Sequence, residues 1–346
     1  MEKKCTLKDL AIILNLAVST VSKALNNSSE ISELTKIKVQ NTAQLYNYTP
    51  NRSAQNLKSK KTKTIGVIVP DLLSHFFAMA IHGIETEANL KGYKIIICLS
   101  NETRKKESES IKTLINGSVD GLIISLSKET QVTGDYRHFE QALKYNFPIV
   151  LFDRTFDEMI CDKISINDQL AAKDATEHLL KTGCQNIIFL STIFGTSVGE
   201  NRKLGYLDGL KNTGIQSCVL NIEDYNSFEQ LLLQQLRDIK VDGIVAADEL
   251  SAISTIKYAL KNSFKIPEDI SVIGFTNGVL AENYVPSLTV VDQQATEQGT
   301  LAANTLIKRL NIKIPTETVN HTLETSIIQR QSTFPLAFPR TKSNKE

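Results

Sequence analysis

The sequence predicts two unlike parts: a small all-α headpiece, then an α/β core of two lobes built on parallel sheets. Three observations lead there. The chain of 346 residues is too long for one ordinary core. Its net charge of +1 conceals a split: residues 1–63 carry eleven Lys/Arg against four Asp/Glu, which leaves the remainder acidic. The hydrophobic grammar also changes at Thr64, from short amphipathic segments to apolar runs alternating with helical ones.

The headpiece, residues 1–50, reads as three helices. Thr6 can cap the first, where Leu7, Leu10, Ala11 and Leu14 share one face. Asn15-Leu16-Ala17 makes a tight turn, and Val18 to Asn26 forms the second helix with Val21, Ala24 and Leu25 inward. Ser32 or Ser29 opens the third, which ends before Pro50. Two short helices joined by such a turn are a helix-turn-helix unit, and its basic charge suits a polyanion. Residues 51–63 follow as a short helix, too short to be stable alone, and a basic linker.

From Thr64 onward TIGVIVP, YKIIICLS, DGLIISLS, FPIVLFD, QNIIFLS, VDGIVAAD and ISVIGF alternate with helical segments. Repeated strand–helix units build parallel sheets covered by helices on both faces. So many units call for two lobes, expected at about 64–161 with 290–320 and about 162–289 with 321–340.

Five scattered cysteines form no C-x-x-C pair and read as reduced thiols. MEKKCTLKDL has no apolar core of a signal peptide, and no run reaches the ~20 apolar residues that cross a membrane, so a cytoplasmic protein is expected. No phosphate-loop, dinucleotide, metal-ligand or nucleophile–base motif occurs, so neither an enzyme nor a bound cofactor or metal is expected. His75 is the one histidine placed beside a strand end, with packing the more ordinary role for it.

The segments T-L-K-D-L-A, V-S-T-V-S-K-A-L-N, Y-x-P-N-R-x-A-x-x-L, T-x-T-I-G-V-I-V-P, V-D-G-L-I, I-P-E-D-I-S-V-I-G-F and P-S-L-T-V-V occur in this order. In this the chain resembles the lactose/galactose repressor (LacI/GalR) family of bacterial regulators over nearly its whole length. The resemblance implies a homodimer reading a near-palindromic operator in double-stranded DNA. It implies a core like periplasmic sugar-binding proteins, with an effector, a sugar or sugar phosphate, between the lobes. No heptad pattern follows Phe338, so a coiled-coil tetramer is not expected.

By the same resemblance Val18, Ser19 and Lys23 match base-reading positions, and Thr6, Thr20, Ser22 and Asn26 match positions nearer phosphates; Lys36 and Lys38 are further phosphate candidates. Asn51, Arg52, Ala54 and Leu57 match a hinge helix, with Leu57 as an apolar wedge for the minor groove. Phe76, Phe77, Asp153, Arg202, Tyr225, Asp248 and Thr276 match the effector pocket, although Asp153 and Arg202 can equally pair with each other. Three departures stand out. Ala17 replaces the usual capping serine before the second helix, Thr276-Asn277 replace two aspartates, and Ala247 replaces an asparagine. Fewer carboxylates would suit a phosphorylated or acidic ligand, or a sugar gripped differently. A solute-binding protein is the rival reading; the headpiece and the lack of a leader argue against it. Repression and activation are not separable from residues alone.

Overall fold

The computed structural model describes residues 5–48, 61–312 and 317–336. The chain divides after Thr62 into two units.

The first unit holds α1 (Leu7–Leu14), α2 (Val18–Leu25) and α3 (Glu33–Leu45) around Leu10, Ala11, Leu14, Val21, Ala24, Val39 and Ala43. Thr6 caps α1 reciprocally with Asp9. Asn15 ends α1 in the left-handed region at φ 54°, and Leu16 N–H donates back to Ala11 O at 3.0 Å. That closure sets the tight turn into α2. Of the two serines considered for α3, Ser32 is the cap, accepting from Thr35 N–H.

The second unit contains two six-stranded sheets. The first takes β1 (Thr64–Val69), β2 (Lys94–Leu99), β3 (Gly121–Ile124), β4 (Ile149–Phe152), β5 (Asp162–Ile166) and β11 (Asn320–Leu323), in spatial order β11-β5-β4-β3-β1-β2. The second takes β6 (Ile187–Ser191), β7 (Cys218–Asn221), β8 (Gly243–Ala246), β9 (Ser271–Phe275), β10 (Thr289–Asp292) and β12 (Ser326–Ile328), in order β12-β10-β9-β8-β6-β7. All neighbours are parallel except β10 and β12. The central strands are apolar on both faces because helices cover both.

The sheets correct the expected lobe limits. Crossing from the first sheet follows β5, a few residues past 161; β10 lies in the second sheet and β11 in the first. The sequence hides β5 because DKISI is half polar. Asp162 is fully buried there, satisfied by the Arg309 guanidinium and by Val319 N–H at 2.9 Å.

Each lobe is tied by one close helix pair. Helices His75–Leu90 and Ala295–Asn311 cross where a Cβ on Gly299 would lie 1.9 Å from Ala80 O. Helices Asp168–Lys181 and Ser197–Leu210 cross where a Cβ on Gly205 would lie 2.0 Å from Gln169 O. Neither approach admits a side chain. Such tight pairs hold the strand ends, and the loops beyond them, in fixed positions.

Candidate functional sites

α2 is divided sharply into two faces. Val21 and Ala24 are fully buried, whereas Val18, Ser19, Lys23 and Asn26 are exposed and Thr20 and Ser22 half-buried. Residues 18, 22 and 26, and 19 and 23, lie four apart and so share the outward side. Ala17 stands in extended backbone at the helix start with no side-chain cap, as its methyl group dictates. Lys23 is not idle: its ammonium pairs with Glu30. Asn26 Nδ2 donates to Ser22 O at 2.9 Å. Thr6 is occupied with Asp9, its hydroxyl donating to Oδ2 at 2.7 Å. Lys36 is buried with its ammonium 2.6 Å from Glu33, while Lys38 is exposed. Asn51, Arg52, Ala54 and Leu57 lie outside the described residues.

In the core, the carboxyl ends of strands from both sheets face one cleft of about 360 Å³. Open α/β sheets bind ligands at this end. Phe76, Phe77, Asp153, Arg202, Tyr225, Asp248 and Thr276 all line it. β4 runs into Asp153 at φ 59° and β9 into Thr276 at φ 80°. A left-handed conformation is tolerable for aspartate and costly for a β-branched threonine; such strain gathers at functional sites.

The partners of these side chains differ from the expected ones. Arg202 does not pair with Asp153. Its guanidinium is 2% exposed and donates to Asp168 at 2.7 Å, Ala247 O at 2.6 Å and Gln293 Oε1 at 2.6 Å. It also lies 3.9 Å from the centre of the Phe275 ring. Asp248 caps the helix Glu249–Lys261 and accepts the Thr192 hydroxyl at 2.7 Å. Thr276 accepts from Gln293 Nε2 at 2.7 Å. Among the described residues the Asp153 carboxylate accepts only a long bond from the Ser125 hydroxyl, 3.4 Å. Burial pushes its carboxyl up to about 7 against the pull of Arg154. Burial, with Asp248 alongside, also lifts Glu249 to about 7. The Tyr225 phenol is raised by burial and then by Asp248, so it stays neutral and can donate.

Arg154, Thr192 and Gln293 line the cleft as well. Each follows a strand closely, the one signal in the sequence that points to this end of the sheets. Arg154 grips Glu102 at 2.7 and 2.9 Å. The two lobes are bridged beside the cleft. His75 Nε2 accepts Val279 N–H at 3.3 Å, and Gln131 Nε2 donates to Ser197 Oγ at 2.9 Å. Thus His75 joins the lobes besides packing.

Residues 6–51 match the model of bacterial regulatory proteins of the lacI family, and residues 176–333 that of a periplasmic binding protein-like domain. The chain is 30% identical over 343 residues to the ribose operon repressor of Haemophilus influenzae, spanning 96% of this chain and 99% of that one. The chain belongs to the LacI family of bacterial regulatory proteins. Catabolite control protein A of Priestia megaterium is 29% identical over 333 residues, 94% of this chain and 96% of that one. Two solved structures share the fold. The lac repressor dimer bound to operator and the anti-inducer ONPF superposes with a TM-score of 0.85 at 24% identity, over 96% of this chain and all of that one. The complex of the transcriptional regulator CelR with cellobiose does so with 0.70 at 22%, over 95% of this chain and 99% of that one. This LacI-family chain is a DNA-binding transcriptional regulator and not an enzyme. Among the described residues no helix is long and apolar enough to cross a membrane.

Proposed function

We propose that this LacI-family regulator is a cytoplasmic, homodimeric repressor of carbohydrate-use genes whose operator affinity is set by a sugar or sugar derivative in the core cleft. The observation that carries the proposal is the cleft itself, where strand ends of two sheets converge with polar and aromatic side chains on one small volume. A ligand touching both lobes favours one spacing of the lobes over another, and that difference is what shifts an equilibrium. Relatives named for a ribose operon and for catabolite control point toward carbohydrate genes.

At the DNA, α2 enters the major groove with its N-terminal residues at base edges. Val18 offers apolar contact to a thymine methyl, Lys23 donates to guanine, and Ser19 accepts either kind of partner. Thr6, Thr20, Ser22 and Asn26 hold the backbone and set register. Asn51, Arg52 and Ala54 serve a hinge segment that presents Leu57 as a wedge at the operator centre. In the cleft, Asp153 and Asp248 accept hydroxyl hydrogens, Tyr225 and Phe76 wall the ring, and Arg202, Phe77 and Thr276 fix the frame.

The test has two halves. Selection of the full chain on random duplexes should return a near-palindromic site; recovery of sequences without two-fold symmetry would refute the paired reading heads. A thermal-shift panel of neutral, amino, acidic and phosphorylated sugars should then give a hit that changes operator affinity. A ligand at about 100 times its Kd stabilises by roughly 2.7 kcal/mol. Silence across all four classes would refute the small-molecule reading.

A further inference from the structure

The charge balance of the cleft narrows the class of effector, on the reading that the cleft is the effector site. Five carboxylates line it: Asp71, Glu102, Asp153, Asp248 and Glu249. Its two arginines are both engaged within the protein. Arg154 is held by Glu102 at 2.7 Å, and Arg202 by Asp168 at 2.7 Å. All three nitrogens of Arg202 already donate to protein acceptors, so a phosphate or carboxylate would have to displace one of them to be gripped by two parallel bonds. Lys128 is absent from the lining; its ammonium lies 3.8 Å from the Phe194 ring centre.

With those pairs set aside, four carboxyls have only neutral donors among the hydrogen bonds of the described residues. Asp71 accepts from Leu73 N–H at 2.9 Å, and Asp153 from the Ser125 hydroxyl. Asp248 accepts from Ser251 N–H at 2.8 Å and from Thr192, and Glu249 from Ala281 N–H at 3.2 Å. The cleft lining therefore holds more acidic than basic side chains, and at low dielectric such a surplus counts for several times what it would in water. A phosphate, carrying −1.5 to −2 charges near neutrality, would enter against that surplus. Hydroxyl groups fit, since carboxylates accept. An ammonium group fits better, because it donates and also cancels charge. Burial raises both Asp153 and Glu249 although Arg154 and Arg330 pull the other way, and a bound ammonium would favour their charged forms.

We propose that the effector is an amino sugar, whose protonated amine sits among the carboxylates of Asp71, Asp153, Asp248 and Glu249, and that phosphorylated and acidic sugars are excluded.

The experiment titrates the full chain with matched series: glucose, glucosamine, glucose 6-phosphate and glucuronate, and the galactose and mannose counterparts. In the series that binds, the amine should bind at least about tenfold more tightly than its hydroxyl parent, a difference of ~1.4 kcal/mol. The phosphate and the acid should not bind. Asp71→Asn should reduce the amine-to-hydroxyl ratio toward one while the parent sugar keeps its affinity within about threefold, and Asp153→Asn should reduce the same ratio whatever it costs the parent sugar. Two positions are used so that a failure of one variant to fold leaves the other to decide. Tightest binding by a phosphate or an acid overturns the proposal and leaves the effector reading standing, as does equal binding of amine and parent. No binding in any series overturns both.

Discussion

In the headpiece, Val18, Ser19 and Lys23 stand exposed on one side of a helix whose other side is buried at Val21 and Ala24; in the cleft, Arg202 is 2% exposed and already satisfied by three protein acceptors. Both sets match family positions equally well, yet they do opposite work in the free protein. The exposed side chains of α2 are left over from packing, and the Lys23 ammonium pairs with Glu30, itself exposed. The cleft's most conspicuous cation is part of the packing. A family match says where a side chain is; its hydrogen bonds say how much of it a ligand can use.

The sharpest way to break that comparison is Arg202→Ala. If Arg202 chiefly met ligand, the variant would lose binding and keep its stability. The geometry instead leaves Asp168, 6% exposed, without its cation, together with Ala247 O and Gln293. Removing one partner of a buried pair costs about 3–5 kcal/mol. Denaturant unfolding of the ligand-free chain should show that loss, and Asp168→Asn in the Arg202→Ala background should recover part of it. Unchanged stability would assign Arg202 to the ligand after all. For the same reason Arg202→Ala is a poor probe of the pocket; Asp153→Asn is the cleaner one.

The headpiece was legible because its logic is local: Thr6 with Asp9, the Asn15 turn, and the i, i+4 faces of α2 are written within a few residues. The alternation of strands and helices was legible for the same reason; the seven cleft residues came from the family resemblance, and all seven line one cleft. Their chemistry was not. Arg202 meets Asp168 across 34 positions and Gln293 across 91, and no periodicity carries such pairings. The absent aspartates near Thr276 suggested an acid-poor pocket, but Asp71, Glu102 and Glu249 make up the deficit from other strand ends and helix starts. β5 is hidden from periodicity because its buried aspartate is satisfied from Arg309, far along the chain.

On the headpiece side, Lys23→Ala should weaken specific operator binding by about 1–3 kcal/mol and leave the core's melting temperature unchanged. Loss on nonspecific DNA should be much smaller, and fluorescence anisotropy on both duplexes separates the two. Equal losses would make Lys23 a phosphate contact. Since Lys23 pairs with Glu30 in the free protein, Glu30→Gln should raise affinity slightly, by under 1 kcal/mol for so exposed a pair.

Acidity separates the two regions again. Asp153 and Glu249 titrate near 7 when folded and near 4 when unfolded. The folded state thus prefers their protonated forms. Ligand-free stability should be greatest near the unfolded values, fall as pH rises toward 7, and level off above it. Going from pH 7.5 to 6 should stabilise the core by about 1 kcal/mol per group. His178, lowered by burial, pulls the other way below its ordinary value. The difference between wild type and Asp153→Asn/Glu249→Gln isolates the carboxyls; a difference that does not vary over this window would contradict the buried charges.

A last, local substitution tests whether the headpiece has given up any stability at the start of α2. Ala17 sits at φ −64° and ψ 144°, the extended geometry of a capping residue, so serine fits there without moving the backbone. Its hydroxyl would accept from one of the first free N–H groups of α2, which lack a side-chain acceptor from Ala17. Ala17→Ser should therefore stabilise α2 by about 1 kcal/mol. In the full chain, hydrogen exchange of the Val21 amide should slow roughly fivefold if it opens with the helix. Amides in β8 and β9 should not change, since they belong to the other unit. Unaltered exchange at Val21 would mean that the turn backbone already shields the start of α2, and that the missing serine costs this headpiece nothing.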